Sequence, residues 1–433
     1  MASFGAKLNP ARRLRTPHGV KAVRQTVVVT NNPSKIDQNQ QLLVRFPNLG
    51  PHDVIVPGTS KLAFTIARKS TDANRTVVQN LGRALVKKLV VRISGNEVLS
   101  VDDSDVFHCY LDLWKTTQER ENGAYQGIDT SADRNATKLR LGAGDGVATV
   151  AADAAVSAAF GARFHIPLDF ELLESHMPFH QAGLGDRLEY ELTFNDHSRV
   201  VVATGDTAAS YAVEGISLEF DVATNEELAR HVRMLYSSRT AILYDRVLRH
   251  RKIVANKSDS LWNINLNVPM RSCKGILLLF EDVAAQAAFG RDTEAFYNPK
   301  ITKVEVTVEG VPNQLYSQGM RALDQWGEAM RYFGGGHKRS VDEATLRAHK
   351  DLNLAAVSLS DYLTTKFGLW LDLRSTDDPT LHGSGRRVEN ASEGITIQLS
   401  KTPEAAGALS IYLYVIMDAQ LNLEGGRFIH ALY

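Results

Sequence analysis

The sequence of 433 residues contains the same succession of elements twice. A strand-like run, a turn containing glycine and a helical stretch carrying tryptophan follow one another once in each half. Gly95 and Gly310 mark the two turns and are 215 positions apart, whereas Trp114 and Trp326 mark the two helices and are 212 positions apart. Nearly constant spacing between matching elements is typical of a duplicated fold. The sequence therefore predicts two similar domains in tandem.

The match continues towards the end of each half. A Phe-Gly pair follows an alanine-containing stretch at Phe160 and again at Phe367, 207 positions later. Strand-like runs begin at Leu188 and Ile395, also 207 positions apart, and a G-x-G-x-R run precedes each of them. Offsets that drift slowly are what loop insertions between duplicated elements produce. Five matching elements in the same order make a chance resemblance a poor explanation.

Short β-type runs bounded by turn residues fill both halves. Leu62, Phe64 and Ile66 alternate with smaller or polar residues, the period of a half-buried strand. The first half ends on such a run at 215–222, and the runs resume at 260–268. About eight short strands in each half is the inventory of a jelly roll, which packs two four-stranded sheets. We predict an all-β protein of two tandem jelly-roll β-sandwiches, with short helices in the loops and a connector helix.

The connector is predicted at mid-chain, where 224–237 has the clearest helical pattern. Thr224 and Glu227 stand three residues apart at its start, the spacing of a capping box in which each side chain satisfies a free backbone amide. We therefore predict a basic N-terminal arm at 1–24, a first jelly roll at 25–223, a connector helix at 224–240 and a second jelly roll at 241–433.

The N-terminal segment carries positive charge alone, since no acidic residue precedes Asp37. Pro10 and Pro17 disfavour a continuous helix there. A basic tail of this kind contacts phosphate, contacts an acidic surface, or is simply solvated. Its cations are Lys7, Arg12, Arg13, Arg15, Lys21 and Arg24.

The chain as a whole is electrically balanced, because Lys plus Arg and Asp plus Glu both number 49. Zero net charge gives no overall attraction to nucleic acid or membrane, and it lets many copies pack with little self-repulsion. Cys109 and Cys273 are predicted to be free core thiols, which points to synthesis in a reducing compartment. No signal peptide is expected, and no run approaches the ~18 apolar residues of a membrane span.

A two-domain cupin enzyme would also consist of tandem jelly rolls. Cupins bind metal through a His-x-His pair and a later Glu, whereas this chain has 13 His and no His-x-His. His176 and His180 form the closest pair, but Pro178 breaks the helix that would bring both to one face. We predict no metal, no cofactor and no catalytic residue. A bicupin-like metal enzyme and a jelly-roll carbohydrate-binding protein remain the alternatives.

Other motifs point to structure rather than chemistry. The glycines at 334–336 lack a directly following Lys, so they do not form a phosphate loop. Asp102, Asp103 and Asp105 are interpreted as carboxylates at a helix start, where the helix dipole favours them, and not as calcium ligands.

Three stretches carry a resemblance to a known family: FHIPLDF at 164–170, HMPF at 176–179 and GDRLEYELTF at 185–194. Together with the run at 409–423, they resemble the major capsid proteins of Polinton (Maverick) elements and adintoviruses. That group belongs to the double jelly-roll lineage with adenovirus hexon. The resemblance spans the chain from about residue 24 to its end.

The resemblance implies a structural subunit of a virion and no enzyme. Such proteins form homotrimers whose six jelly rolls make a pseudo-hexameric capsomer, and the capsomers build an icosahedral shell around double-stranded DNA with penton or minor capsid proteins. From its charge we further predict that the arm at 1–24 faces packaged DNA. From the free cysteines and the lack of a signal peptide or apolar span we predict synthesis in the host cytosol or nucleus and no membrane insertion.

Overall fold

The computed structural model describes the chain except for residues 1–20, 29–34, 70–75, 129–162, 169, 171–172, 174–186, 203–208, 239, 268, 287–291, 317–318, 335–356, 377–382, 390–393 and 433.

Two four-stranded antiparallel sheets form the first half, in the orders β1-β12-β5-β9 and β3-β10-β7-β8. The short strands β2 and β4 pair with β12, and β6 pairs with β11. The strands are β1 Lys21–Val28, β2 Lys35–Ile36, β3 Gln41–Arg45, β4 Asp53–Ile55, β5 Lys61–Lys69, β6 Thr76–Val77, β7 Val86–Ile93, β8 Asn96–Asp102, β9 Arg163–Pro167, β10 Leu188–Phe194, β11 Val201–Val202 and β12 Ser210–Thr224.

The second half has the same two sheets, in the orders β13-β21-β15-β18 and β14-β20-β16-β17. β19 pairs with β15 and β22 pairs with β21. The strands are β13 Thr240–Asn256, β14 Leu261–Leu266, β15 Met270–Asp282, β16 Ile301–Val308, β17 Val311–Pro312, β18 Gly368–Asp372, β19 Arg386–Val388, β20 Ile395–Lys401, β21 Ala408–Glu424 and β22 Arg427–Leu432.

Each half is a jelly roll. When the eight principal strands of a half are numbered along the chain, one sheet has the order 1-8-3-6 and the other the order 2-7-4-5. The turn between the fourth and fifth strands is the same in both rolls. Ser94 and Gly95 have φ of 52° and 80°, and Glu309 and Gly310 have 50° and 75°, the two positive φ values of a type I′ hairpin. The predicted fold class and the internal repeat are both confirmed.

Short helices lie in the loops, as predicted. They are α1 Leu81–Ala84, α2 Ser104–Leu113, α3 Thr117–Glu121, α4 His197–Val200, α5 Glu226–Ser237, α6 Val283–Gln286, α7 Ala322–Phe333 and α8 Leu359–Thr364, with 3₁₀ turns at Asn122–Gln126 and Gln314–Tyr316.

The start of α5 corrects the predicted capping box. Asn225 is the N-cap, and its Oδ1 accepts a hydrogen bond from the Leu228 amide at 2.8 Å. Thr224 is the last residue of β12, and its hydroxyl donates to Asp53 Oδ1 at 2.6 Å instead of capping the helix. Glu227 therefore lies one position too early to complete a box. The capping pair of Thr224 and Glu227 is wrong, although a helix does follow β12.

Strand β13 was not predicted, since β-type runs were expected to resume only at 260–268. The segment holds 17 residues, but Arg246, Arg249, Arg251 and Lys252 interrupt its apolar alternation. A bulge between Arg249 and Arg251 also shifts the pairing with β21, which breaks the period of two. Tertiary pairing, not a local pattern, makes this segment a strand.

One end of the pair of rolls collects the connector and both ends of the described chain. Lys21 at the start of β1 pairs with Thr224 at the end of β12. Thr240 at the start of β13 pairs with Leu423 near the end of β21. The Gly426 amide, in the β21–β22 turn, donates to the carbonyl of Tyr236 in α5 at 2.9 Å. We call this end of the molecule the terminal end.

Replacing the true cap tests this description of α5. Asn225→Ala removes the acceptor of the Leu228 amide and should destabilise the helix by ~1 kcal/mol. Limited proteolysis should then cut faster within 226–237. Glu227→Ala, on the exposed side of the first turn, is the matched control and should leave the cleavage rate near that of the wild type. Equal rates for both variants would show that Asn225 is not the cap.

Candidate functional site

The predicted arm is only partly described. Lys7, Arg12, Arg13 and Arg15 lie outside the described residues, so their role stays a prediction. Lys21 and Arg24 belong to β1, which corrects the boundary of the arm: the first jelly roll begins at Lys21.

Arg24 is engaged in the sheet and is not a free cation of a tail. Its Nη2 lies 3.3 Å from Glu219 Oε2, a carboxylate on the neighbouring strand β12. Arg163 approaches the other oxygen of Glu219 at 3.0 Å, and Lys61 lies at 3.9 Å. Three cations therefore surround one buried carboxylate. Burial, followed by repulsion from Arg24, lowers the pKa of Lys61.

The described residues bring together no catalytic constellation. No group of three or more His, Cys, Asp or Glu among them could hold a metal ion. His176 and His180 lie outside the described part, as does most of the 334–338 glycine run. Cys109 and Cys273 are free and buried, as predicted, and burial raises the pKa of Cys273 to about 12. A thiol with so high a pKa is a poor nucleophile.

The contact between the two rolls is the most elaborate polar site of the described structure. Two of the acids that were interpreted as lying at a helix start, Asp103 and Asp105, take part in this contact. Asp105 does lie in the first turn of α2, but its carboxylate accepts a bond from Arg199 at 3.2 Å. The other Arg199 nitrogen is 3.4 Å from Glu281 in the second roll and 3.0 Å from the Tyr412 hydroxyl.

Asp103 makes a second polar contact between the rolls. Its carboxylate pairs with Arg249 of β13, and its carbonyl accepts a bond from the Tyr414 hydroxyl at 2.8 Å. Burial, then repulsion from Asp105, raises the pKa of Asp103. The neighbouring carboxylates are thus desolvated by the docking of the second roll, and arginine side chains compensate them.

Arg120 and Glu294 form the most deeply buried ion pair of the contact. The two side chains come from different rolls, meet at 2.7 Å, and are only 5% and 1% exposed. Arg120 also donates to the Asp112 carbonyl at 3.0 Å. Beside them, Thr293 donates to the carbonyl of Gln79 at 2.5 Å. A charge at this depth is tolerable only while its partner is present.

Asp112 extends this polar layer inside the first roll. Its carboxylate accepts bonds from the Asn80 side chain at 2.9 Å and from the Gln126 side chain at 2.6 Å, and it pairs with Arg83 at 3.3 Å. Burial by itself would raise the pKa of Asp112, but Arg83 and Lys115 hold that pKa well below its ordinary value. This carboxylate is therefore ionised and structural.

Aromatic side chains seal the contact. The tryptophans that mark the sequence repeat touch each other: the rings of Trp114 and Trp326 have centroids 5.7 Å apart. Tyr110 packs edge-on against Phe296 and Phe333 of the second roll, at 5.3 and 5.5 Å. Such pairs stabilise beyond the area that they bury. Aromatic side chains of both rolls therefore contribute to one shared apolar layer.

Strand β13 meets β8 at the edge of the contact. The Tyr244 hydroxyl of β13 donates to the Val98 carbonyl of β8 at 2.8 Å. The first strand of the second roll therefore packs against the fifth strand of the first roll and against the segment that follows it.

A cavity opens beside β17, the fifth strand of the second roll, which corresponds to β8 of the first. Its volume is about 670 Å³, and its lining includes Val311, Leu315, Leu373, Arg386 and Arg387. The cavity lies where β17 stops after two residues at Pro312, whereas β8 continues for seven. Proline cannot donate to a sheet ladder, which explains why the strand ends there.

Among the described residues, no helix combines the length and the apolar character that a bilayer span requires.

Comparison with solved structures supports the fold described above, whereas comparison with sequences finds no match. No protein-family model matches the sequence, and no curated protein matches it either. Among solved structures, a chain of the PBCV-1 virus capsid matches with a TM-score of 0.59 at 12% identity, covering 97% of this chain and 98% of that one. The Faustovirus major capsid protein matches with 0.55 at 11% identity, covering 95% and 92%. The mavirus major capsid protein matches with 0.52 at 11%, covering 94% and 89%.

The chain has the double jelly-roll fold. The structural similarity covers both rolls and nearly the full length of each neighbour. It therefore includes the side-by-side arrangement of the two rolls. At 10–13% identity in these double jelly-roll matches, the likeness concerns backbone architecture and not individual side chains.

Removing one partner of the buried pair tests whether the contact holds the rolls together. Glu294→Gln leaves Arg120 buried without its counter-charge and should destabilise the protein by ~3–5 kcal/mol. Chemical denaturation should show an earlier midpoint, or a separate first transition as the rolls come apart. Glu389→Gln, in an exposed pair with Arg387, is the control and should change little. A stable Glu294→Gln protein would mean that the pair is dispensable.

Proposed function

We propose that this chain is a major capsid protein, a structural subunit that trimerises into pseudo-hexameric capsomers and builds an icosahedral shell around double-stranded DNA. The observation that carries the proposal is the locked pair of jelly rolls. A shell subunit needs a rigid shape more than a reactive site. In the described residues, the Arg120–Glu294 pair and the aromatic layer between the rolls support such a rigid shape.

The nature of the structural neighbours supports this proposal. Three of the neighbours are named as a virus capsid chain and as major capsid proteins. The sequence resemblance to Polinton and adintovirus capsid proteins belongs to the same lineage, and we retain that narrower assignment as part of the proposal. Self-association, contacts with penton or minor capsid proteins, and a place in the virion follow from it.

The interior of each roll argues against the enzyme alternative. A cupin holds its metal inside the barrel, whereas here aromatic side chains fill the space between the two sheets of each roll. Phe46 packs against Tyr190 and Phe220 in the first roll, at 6.1 Å each, and Trp262 stacks on Phe280 in the second, at 6.2 Å. A packed interior of this kind favours a structural role over a bicupin-like metal enzyme.

The terminal end supports an interior position for the arm. Strand β1 begins at this end with Lys21, at the same end as α5 and the β21–β22 turn. We propose that the terminal end faces the lumen, so that Lys7, Arg12, Arg13 and Arg15 contact packaged DNA without sequence preference.

The mass in solution tests the assembly. Light scattering on the purified protein should give about three times the chain mass of 47.7 kDa, or a larger particle. Electron microscopy of the same sample should show six-lobed particles. A monomer that persists at micromolar concentration would contradict the capsid proposal.

The arm is tested separately, by deleting residues 1–20. This deletion spares β1, so trimers should form as before. Loss of DNA retention with intact shells, most pronounced at low salt, is the expected result because each phosphate contact releases counterions. Replacing Lys7, Arg12, Arg13 and Arg15 by Gln keeps the length of the arm and should give the same loss. Intact DNA retention in both proteins would make the arm a solvated tail, and a block of shell formation by the deletion alone would make it a tether between trimers.

A further inference from the structure

The cavity beside β17 has the size and the construction of a site for a small ligand. Its volume of about 670 Å³ falls within the range of small-molecule sites, about 300–1,000 Å³. Its described lining comes mainly from three segments of the second roll: 311–315 at β17, 372–375 at the end of β18, and 385–387 at β19. Segments far apart in the sequence therefore converge on one concave surface.

The wall at 385–387 is fixed by its backbone. The Gly385 amide donates to Ser272 Oγ at 3.0 Å, and Arg386 pairs with Cys273 in the register of β19 with β15. A Cβ at position 385 would lie 2.6 Å from the backbone carbon of Cys273, so only glycine allows so close an approach. The side chains that follow Gly385 consequently start from a defined position at the cavity.

One part of the lining is apolar and open to water. Val311 and Leu315 are 61% and 56% exposed, and both line the cavity. Val308 and Leu373 line it as well, but they are buried. A ligand with an apolar body would remove the exposed part of this surface from water, which is favourable.

Arginine side chains supply the charged part of the lining. Arg374 is already neutralised, because its guanidinium donates to Asp372 at 3.0 and 2.7 Å. Arg387 forms a pair with Glu389 at 2.9 Å, and both side chains are exposed, so water screens that pair. Arg386 is exposed and has no ion-pair partner among the described residues. Arg386 is thus the cation that a ligand can engage.

We propose that this cavity binds a small amphiphilic anion, with a phosphate or carboxylate group on Arg386 and an apolar body against Val311 and Leu315. A guanidinium group suits either anion, because its planar fork donates two parallel hydrogen bonds. The site goes beyond the proposed capsid role and does not depend on it.

Two other occupants fit this surface less well. A nucleobase needs an aromatic side chain on which to stack, and the described lining residues include none. An extended peptide would add a strand to the edge of the sheet, but Pro312 has no N–H to donate from β17. Charge and apolar surface together favour the amphiphilic anion.

Calorimetric titration of the full-length protein tests the two parts of the ligand. Octyl phosphate carries an anion and an apolar chain, whereas inorganic phosphate and octanol each carry one of them. Octyl phosphate should bind at least ~tenfold more tightly than either, because it alone engages the arginine and the apolar side chains together. Equal affinities for the three probes, or no binding of octyl phosphate, would overturn the proposal.

Two substitutions assign the binding to this cavity. Arg386→Gln should weaken octyl phosphate binding at least ~tenfold, because a charged hydrogen bond is lost. Leu315→Ser should weaken it ~threefold or more and leave the affinity for inorganic phosphate unchanged. Both side chains are exposed, so thermal unfolding without ligand should match the wild type. Arg230→Gln, at an exposed position on α5, is the matched control. Unchanged affinity in the Arg386→Gln protein would rule out this site even if octyl phosphate binds elsewhere.

The source of the anion is decided with the same proteins. Vesicles of phosphatidylcholine doped with phosphatidic acid present a phosphate headgroup within a bilayer. Flotation of the wild type with these vesicles, lost in Arg386→Gln, would identify a lipid headgroup as the ligand. Binding of octyl phosphate without flotation would identify a free amphiphile, and either result supports the site.

Discussion

The architecture depends on compensating charge at the contact between the rolls. Arg120 and Glu294 are almost without access to solvent, and each makes burial of the other acceptable. Around them, Arg199 and Arg249 neutralise acids that docking desolvates. Apolar packing alone would allow the rolls to slide, whereas a buried ion pair has one satisfactory geometry. Placing this pair between the sandwiches fixes their relative orientation, which any larger assembly of them requires.

The sequence predicted topology better than contacts. Strand order could be inferred because a repeated succession of short alternating runs is compatible with few folds, and the type I′ turns at Gly95 and Gly310 follow from local chemistry. The ion pairs could not be inferred, since Arg120 and Glu294 are 174 positions apart and nothing local couples them. The helix cap failed by one residue because Thr224 and Asn225 are both good caps. A distant group, Asp53, engages Thr224 and leaves Asn225 to cap α5.

The two rolls differ clearly in their fifth strands. In the first roll, β8 keeps its full length because β13 packs against it. In the second, Pro312 ends β17 after two residues and leaves an open cavity. The sequences of the two rolls also differ within the G-x-G-x-R run, where the second roll has the basic Arg386 and the first roll has the acidic Asp186. Duplication supplied one fold, and later substitution gave its two copies different surfaces.

The pairing of β1 with β12 also sets an order for folding during synthesis. The first roll cannot close its sheet until Thr224 has left the ribosome, because Lys21 pairs with that residue. Once closed, it can hold Arg120 and Asp103 in water while the second roll is still being made. Glu294 and Arg249 arrive later, on a roll that closes only with β21. Docking then joins two closed sandwiches and removes water from these charges.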